Sequence, residues 1–165
     1  MQPINGKISS SLEDLNTLNA IYPWLPNAAT IRPSPEVLLR KQCAMAEVMY
    51  EWHTVWDYIL YTVFGAQQRI NAFGKREVVP HSFLKEWAFQ PSLFPYALPN
   101  GTNHYILWSV YKTYSDDIDD EEINGRIKNS LQGSLSHSNF EFAWYKNPKP
   151  TVPQFWHVQV FWRLL

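Results

Sequence analysis

Three stretches in the second half of the chain alternate between apolar and polar positions as β-strands do. They cover residues 104–110, 140–145 and 154–163. Alternation puts every second side chain on one face, so His104, Ile106 and Trp108 share a face of the first stretch. The last stretch has an apolar face and a face that carries His157, Gln159, Phe161 and Arg163. Such a polar face is either the solvent side of a sheet or the floor of a pocket.

Two other stretches repeat apolar residues every three or four positions, which is typical of amphipathic helices. They lie near residues 35–64 and 117–131. Ser34 and Pro35 are favourable residues for the N-cap and first position of the earlier helix. Its predicted apolar stripe includes Leu38, Cys43 and Met49, so Cys43 is expected to be buried or half-buried. The β-branched and aromatic residues at 53–56 predict either a kink or a division into two helices.

The first 30 residues are rich in Asn, Ser and Pro. Pro23 and Pro26 exclude a regular element around Trp24, because each proline lacks an N–H donor and restricts the residue before it. The pattern predicts an extended N-terminal arm over residues 1–30 and a single domain over residues 31–165. The aromatic side chains of the arm either dock on that domain or present a surface to a protein partner.

The order of elements is helix, loops, strand, helix, strand, strand, which predicts an α+β fold. We expect a small antiparallel sheet of the three strands, backed by the two helices. The chain has 165 residues, of which 45% are hydrophobic, so it is long enough to bury one core without a disulfide or a metal.

Charge and cysteine content narrow the classes of partner. The formal net charge is −1 and no long basic run occurs, which argues against binding to extended nucleic acid. One cysteine forms no internal disulfide. No apolar run reaches the roughly 18 residues of a membrane helix, and the N-terminus lacks the apolar centre of a signal peptide. We therefore expect a cytoplasmic protein without a membrane partner.

The strands near the C-terminus bring together the residues with chemical potential. His104 and His157 lie on two of them, and Asn147 opens the proline-containing loop that joins the last two. We expect the two imidazoles to lie side by side and to be the catalytic residues of any active site. The candidate ligand-binding residues around them are Asn147, Gln159, Trp108, Lys146 and Arg163.

Several blocks of the chain carry a family resemblance. They are residues 31–35 (IRPSP), 50–60, 94–96 (FPY) with 104–108 (HYILW), and 144–147 (WYKN) with 151–153 (TVP) and 157–158 (HV). In order and spacing these blocks resemble the fungal N-acetylglucosamine-induced protein family, a domain family of unknown function. The resemblance omits the first 30 residues. It departs from the family at Phe155, where a second histidine is usual. It implies a fold and a site, and no particular chemistry.

The strand–loop–strand at the C-terminus also resembles, more loosely, the histidine-triad proteins. In those proteins the central histidine attacks the α-phosphate of a nucleotide. The likeness implies that His157 is a nucleophile and that His104 is its acid–base partner. It also implies that Gln159 donates to a phosphate and that Asn147 anchors a nucleotide or the loop.

Two functions follow as alternatives. One is a small histidine-centred protein that binds or hydrolyses a phosphoester or nucleotide-like ligand. The other is a non-catalytic interaction module that holds a protein through the aromatic arm and a surface rich in the eight tryptophans. Each histidine could instead be a structural residue bonded to the backbone. No metal and no cofactor is expected, because two histidines fall short of the three or four ligands of a zinc site and no glycine-rich phosphate loop is present.

Overall fold

A computed structural model describes residues 2–165. Its helices are α1 (Leu12–Ile21), α2 (Pro35–Glu51), α3 (Val55–Thr62) and α4 (Asp120–Leu135). Its strands are β1 (Asn5–Lys7), β2 (Gln68–Ile70), β3 (Arg76–Val78), β4 (Trp87–Pro91), β5 (Asn103–Ser109), β6 (Phe140–Tyr145) and β7 (Trp156–Leu164). None of the helices within residues 2–165 is long and apolar enough to cross a bilayer.

The predicted α+β class is confirmed, and the three predicted strands are β5, β6 and β7. The main sheet has five strands in the order β1-β6-β7-β5-β4, so β7 is central. It is mixed and not purely antiparallel, because β1 runs parallel to β6. The alternation missed β1, which has three residues, and β4, which has five residues among prolines. A second, two-stranded sheet joins β2 to β3.

Helices cover both faces of the main sheet. On one face, Ile123, Ile127 and Leu131 of α4 pack against the apolar side of β7. The helix begins at Asp120 because the Asp119 side chain accepts a hydrogen bond from the Glu121 N–H at 2.9 Å. On the other face, α3 and the N-terminal segment form two further cores. Between these two cores, part of β5 and β7 faces a cavity.

The long helix expected near residues 35–64 is divided into α2 and α3. The N–H of His53 bonds to the carbonyl of Arg76 at 2.8 Å, which takes this residue out of the helical ladder. The stripe predicted for α2 was wrong, because Leu38 and Met49 are exposed and so is Cys43. The buried side of α2 instead ends at Val48, one turn beyond Ala44.

The prediction of an extended arm was wrong where the N-terminal segment forms β1 and α1. The alternative that its aromatic side chains dock on the domain is confirmed. Trp24 and Leu25 are buried in a core with Leu15, Ile31 and Phe161. The tryptophan-rich surface expected for a protein partner is also absent from the described residues. Of the eight tryptophans, Trp56 is exposed and the others are buried or half-buried.

Candidate functional site

The face of β5 and β7 between the two cores is the floor of a cavity of about 260 Å³. Its roof is formed by the inner sides of α2 and α3, and its ends by the segments at residues 31–33, 90–96 and 147–152. Five residues that the sequence predicted for a site line this one cavity. They are His104, Trp108, Asn147, His157 and Gln159.

The strand register fixes how the two histidines are spaced. His104 faces Phe161 across the β5–β7 pair, and His157 faces Trp108. The two histidines therefore lie on adjacent strands four positions apart on the ladder, an offset of roughly 13 Å along the strand direction. The expectation of adjacent imidazoles was wrong, because Gln159 occupies the floor between them.

Both ring nitrogens of His104 are occupied. Nδ1 accepts a hydrogen bond from the backbone N–H of Tyr96 at 3.1 Å, and Nε2 lies 2.5 Å from Oε1 of Gln159. Burial lowers the pKa of His104 from 6.5 to about 4, which outweighs the opposing effect of the bond to Gln159. His104 is thus a neutral, fully bonded imidazole at neutral pH.

His157 is held differently. Its Nδ1 lies 3.0 Å from the backbone carbonyl of Phe155, so Nδ1 carries the proton and donates it. Burial lowers the pKa of His157, and the positive charges of Lys146 and Lys41 lower it further. Nε2 is left with a free lone pair and makes no hydrogen bond within residues 2–165.

Aromatic rings hold the His157 imidazole in place. The Trp108 ring lies 4.7 Å from it, tilted by 31°, and the Tyr114 ring lies 4.9 Å away. The buried Nε1–H of Trp108 has no acceptor among the described residues. Phe155, at the position of the family's second histidine, is buried against Phe64 and contributes its carbonyl, not its side chain.

The loop between β6 and β7 closes the end of the cavity near His157. Oδ1 of Asn147 accepts a hydrogen bond from the N–H of Lys149 at 2.9 Å, and the Asn147 carbonyl accepts one from the Tyr114 hydroxyl. Lys41 on α2 donates to the Thr151 hydroxyl at 3.1 Å and so links the roof to the loop. Asn147 therefore shapes this loop while it lines the cavity.

The charges around the cavity have one sign. Arg32 and Lys41 line it, and no Asp or Glu does within residues 2–165. Lys41 is half-buried, and this burial lowers the pKa of its ammonium. Neither cation was predicted as a site residue. Lys41 lies three residues before Ala44 and seven before Val48, so the helical period around these lining residues was the available signal.

Two predicted ligand-binding residues lie outside the cavity. Lys146 donates to the Asp116 carbonyl at 3.3 Å and lies over the Tyr114 ring. Arg163, at the far end of β7, forms an ion pair with Glu141 and stacks on Trp24 at 4.9 Å. Strand alternation identified the face of Arg163 correctly but not its distance from the histidines.

No cluster of three or more His, Cys, Asp or Glu side chains within residues 2–165 is arranged to hold a metal ion. The chemical groups that the cavity offers include a neutral imidazole with a free lone pair, side-chain amides and two cations. Such a set suits an anionic ligand with an apolar portion.

Comparisons with known proteins add little to this geometry. No protein-family model matches the chain, and no curated protein matches it. A solved structure described as "Crystal Structure of HTC1" is similar over 97% of this chain and 86% of that chain, with 11% sequence identity and a TM-score of 0.46. A likeness at that distance says nothing about function. The resemblance to the fungal N-acetylglucosamine-induced family stays a prediction.

Proposed function

We propose that this protein binds a small phosphorylated molecule, such as a nucleoside monophosphate or a sugar phosphate, and hydrolyses its phosphoester at His157. The observation that carries the proposal is the free Nε2 of His157 in a cavity whose charged lining residues are Arg32 and Lys41 alone within residues 2–165. An anion entering the cavity meets positive charge without a competing carboxylate.

The size and the wall residues of the cavity restrict the class of ligand that fits it. Its volume of about 260 Å³ is near the lower end of the range for ligand pockets, roughly 300–1,000 Å³. This volume favours a mononucleotide or a sugar phosphate over a dinucleotide. The remaining walls are largely apolar and include Ile106, Trp108 and Val152. They suit the base or another flat, weakly polar portion of the ligand.

The reaction would proceed in two displacements at phosphorus. Nε2 of His157 attacks the phosphorus, an N–P bond forms and the ester P–O bond breaks. The leaving oxygen takes a proton from the Lys41 ammonium, whose lowered pKa makes it a better acid. Water then attacks the phosphorus and returns a proton to Lys41, while the N–P bond breaks and phosphate leaves. In this scheme His104 does not transfer protons, because both of its nitrogens are bonded.

The proposal is tested with adenosine 5′-monophosphate and glucose 6-phosphate, each compared with the unphosphorylated adenosine or glucose. We expect at least one phosphate to raise the melting temperature of the protein, because a ligand that binds only the native state stabilises it. The unphosphorylated partner should have no comparable effect. We also expect release of inorganic phosphate from the bound compound, and its loss in His157→Ala.

His137→Ala is the matched control, because His137 is exposed and lies outside the cavity. Its binding and hydrolysis should equal those of the unmodified protein. The hydrolytic function fails if His157→Ala, still folded, releases phosphate at the original rate. The binding function fails if neither phosphate shifts the melting temperature.

A further inference from the structure

Tyr96, His104 and Gln159 form a chain of hydrogen bonds at the cavity, and the backbone N–H of Tyr96 determines which atoms donate along it. It runs from the N–H of Tyr96 to Nδ1 of His104 at 3.1 Å, and from Nε2 of His104 to Oε1 of Gln159 at 2.5 Å. A backbone N–H can only donate, so Nδ1 must hold a lone pair. A neutral imidazole then has its proton on Nε2, and the atom of Gln159 that faces it must be the acceptor, Oε1.

We infer that this chain of hydrogen bonds makes Gln159 a specificity-determining residue, because it presents an N–H donor, and never an acceptor, to the ligand. His104 is the positioning residue that fixes the Gln159 amide in this orientation. An amide free to rotate can offer either oxygen or nitrogen to a ligand. Here rotation would set the NH2 group against the Nε2–H of His104, donor against donor, in a buried place where an unpaired donor is costly.

Gln159 is placed to use this donor. It is 8% exposed and lines the cavity. Its amide nitrogen makes no hydrogen bond to any group within residues 2–165. The Cα of Gln159 lies two positions along β7 from that of His157, roughly 7 Å away, with both side chains on the cavity face.

The floor therefore offers a fixed order of groups, an acceptor at His157 Nε2 followed by a donor at Gln159. The matching ligand presents an electrophilic or donor atom to His157 and an oxygen acceptor to Gln159. A phosphoryl group meets both conditions, whereas an ammonium opposite Gln159, which has donors and no acceptor, is rejected. The phosphate identity rests on the proposed function, but the direction of the donor does not.

Gln159→Glu tests the inference with almost no change of shape. One carboxylate oxygen still accepts from Nε2–H of His104, and the other replaces the NH2 group that faces the cavity. Gln159→Leu removes both groups without adding a charge, so it is the control for the loss of the Gln159 hydrogen bonds. Binding of adenosine 5′-monophosphate is measured by calorimetry in each variant. The His104 ring is followed by 15N NMR, which separates protonated from unprotonated ring nitrogens.

We expect Gln159→Leu to weaken binding of adenosine 5′-monophosphate by roughly tenfold, and Gln159→Glu to weaken it by roughly 100-fold. The 15N spectrum of the unmodified protein should show His104 protonated on Nε2. In Gln159→Glu this tautomer should persist, and the pKa of His104 should rise beside the new carboxylate.

A spectrum with His104 protonated on Nδ1 overturns the inference, as does tight binding of adenosine 5′-monophosphate by Gln159→Glu. If the unmodified protein binds no phosphate but His104 is protonated on Nε2 and responds to Gln159→Glu as expected, the proposed function fails and the direction of the Gln159 donor is upheld. The two failures are thus distinguishable.

Discussion

At the scale of single residues, the two cavity histidines show how one side chain takes two roles. Both are buried, and burial lowers the pKa of each. The backbone group at Nδ1 then selects the tautomer, an N–H at His104 and a carbonyl at His157. The first arrangement consumes both nitrogens of the ring, whereas the second leaves Nε2 free. The sequence showed where imidazoles occur but not which backbone groups they meet.

The buried state of His104 predicts a loss of stability in mild acid. Its pKa is 6.5 in the unfolded chain and about 4 in the folded one. As the pH falls below 6.5, His104 is protonated in the unfolded chain but stays neutral in the folded protein. The free energy of unfolding therefore decreases until about pH 4. Integrated over that window, this one group costs roughly 3 kcal/mol. Urea denaturation at a series of pH values measures it.

His104→Gln is the comparison for that measurement, because its amide still donates toward Gln159 but does not titrate. His157 and the carboxylates contribute to the pH dependence of both proteins and cancel in the difference. The unmodified protein should lose roughly 3 kcal/mol more than the variant between pH 6.5 and 4. If the free energies of unfolding of the two proteins changed equally with pH, protonation of His104 would not destabilise the folded state.

At the scale of elements, alternation located β5, β6 and β7, and helical periodicity located α4. The elements and faces that the sequence did not predict correctly have physical explanations. β1 is too short to show alternation and depends on its pairing with β6. The helical period of α2 was recognisable, but its inner face is set by the cavity, so Lys41 turns inward while Leu38 is exposed. Cross-strand register, which separates His104 from His157, is not encoded in any single strand.

Asp57 ties the start of α3 to β3, and this gives a prediction for the junction between α2 and α3. Asp57 is 7% exposed. One of its oxygens accepts from the Thr54 hydroxyl at the helix N-cap, and the other accepts from the Val78 N–H of β3 at 2.9 Å. Asp57→Ala leaves both donors without a partner and should lower the free energy of unfolding by about 3 kcal/mol. Chemical denaturation measures the change.

Asp14→Ala is the matched control for this helix junction. Asp14 holds the same third position of α1, after the N-cap Ser11, but it is exposed and makes no tertiary hydrogen bond within residues 2–165. Its removal should cost less than about 1 kcal/mol, because it loses only the helix-dipole interaction and an exposed bond from the Ser10 hydroxyl. Equal losses in the two variants would mean that the bond to β3 contributes nothing.

At the scale of the whole molecule, the cavity is assembled from parts that are distant in the chain. Its walls come from segments near residues 31–63, 90–108 and 147–159. The N-terminal segment supports them from outside. Trp24 shares a core with Ile31, which precedes Arg32, and with Phe161, whose ring lies 5.1 Å from that of His104. The stability of residues 2–30 and the shape of the site are therefore coupled.

This coupling predicts that residues 2–30 unfold together with the rest of the domain. Trp24 is 3% exposed, so Trp24→Ala leaves a large void in that core and should lower the free energy of unfolding by about 3–5 kcal/mol. Trp56→Ala removes the same side chain at a site that is 49% exposed, and it should cost about 1 kcal/mol or less. Both changes are measured by urea denaturation followed by circular dichroism. The number of transitions in these curves also shows whether the N-terminal segment unfolds with the sheet. A small loss in Trp24→Ala, or a separate transition at low urea, would contradict this coupling. We expect one cooperative transition at much lower urea, because the segment, the sheet and the cavity wall share a core.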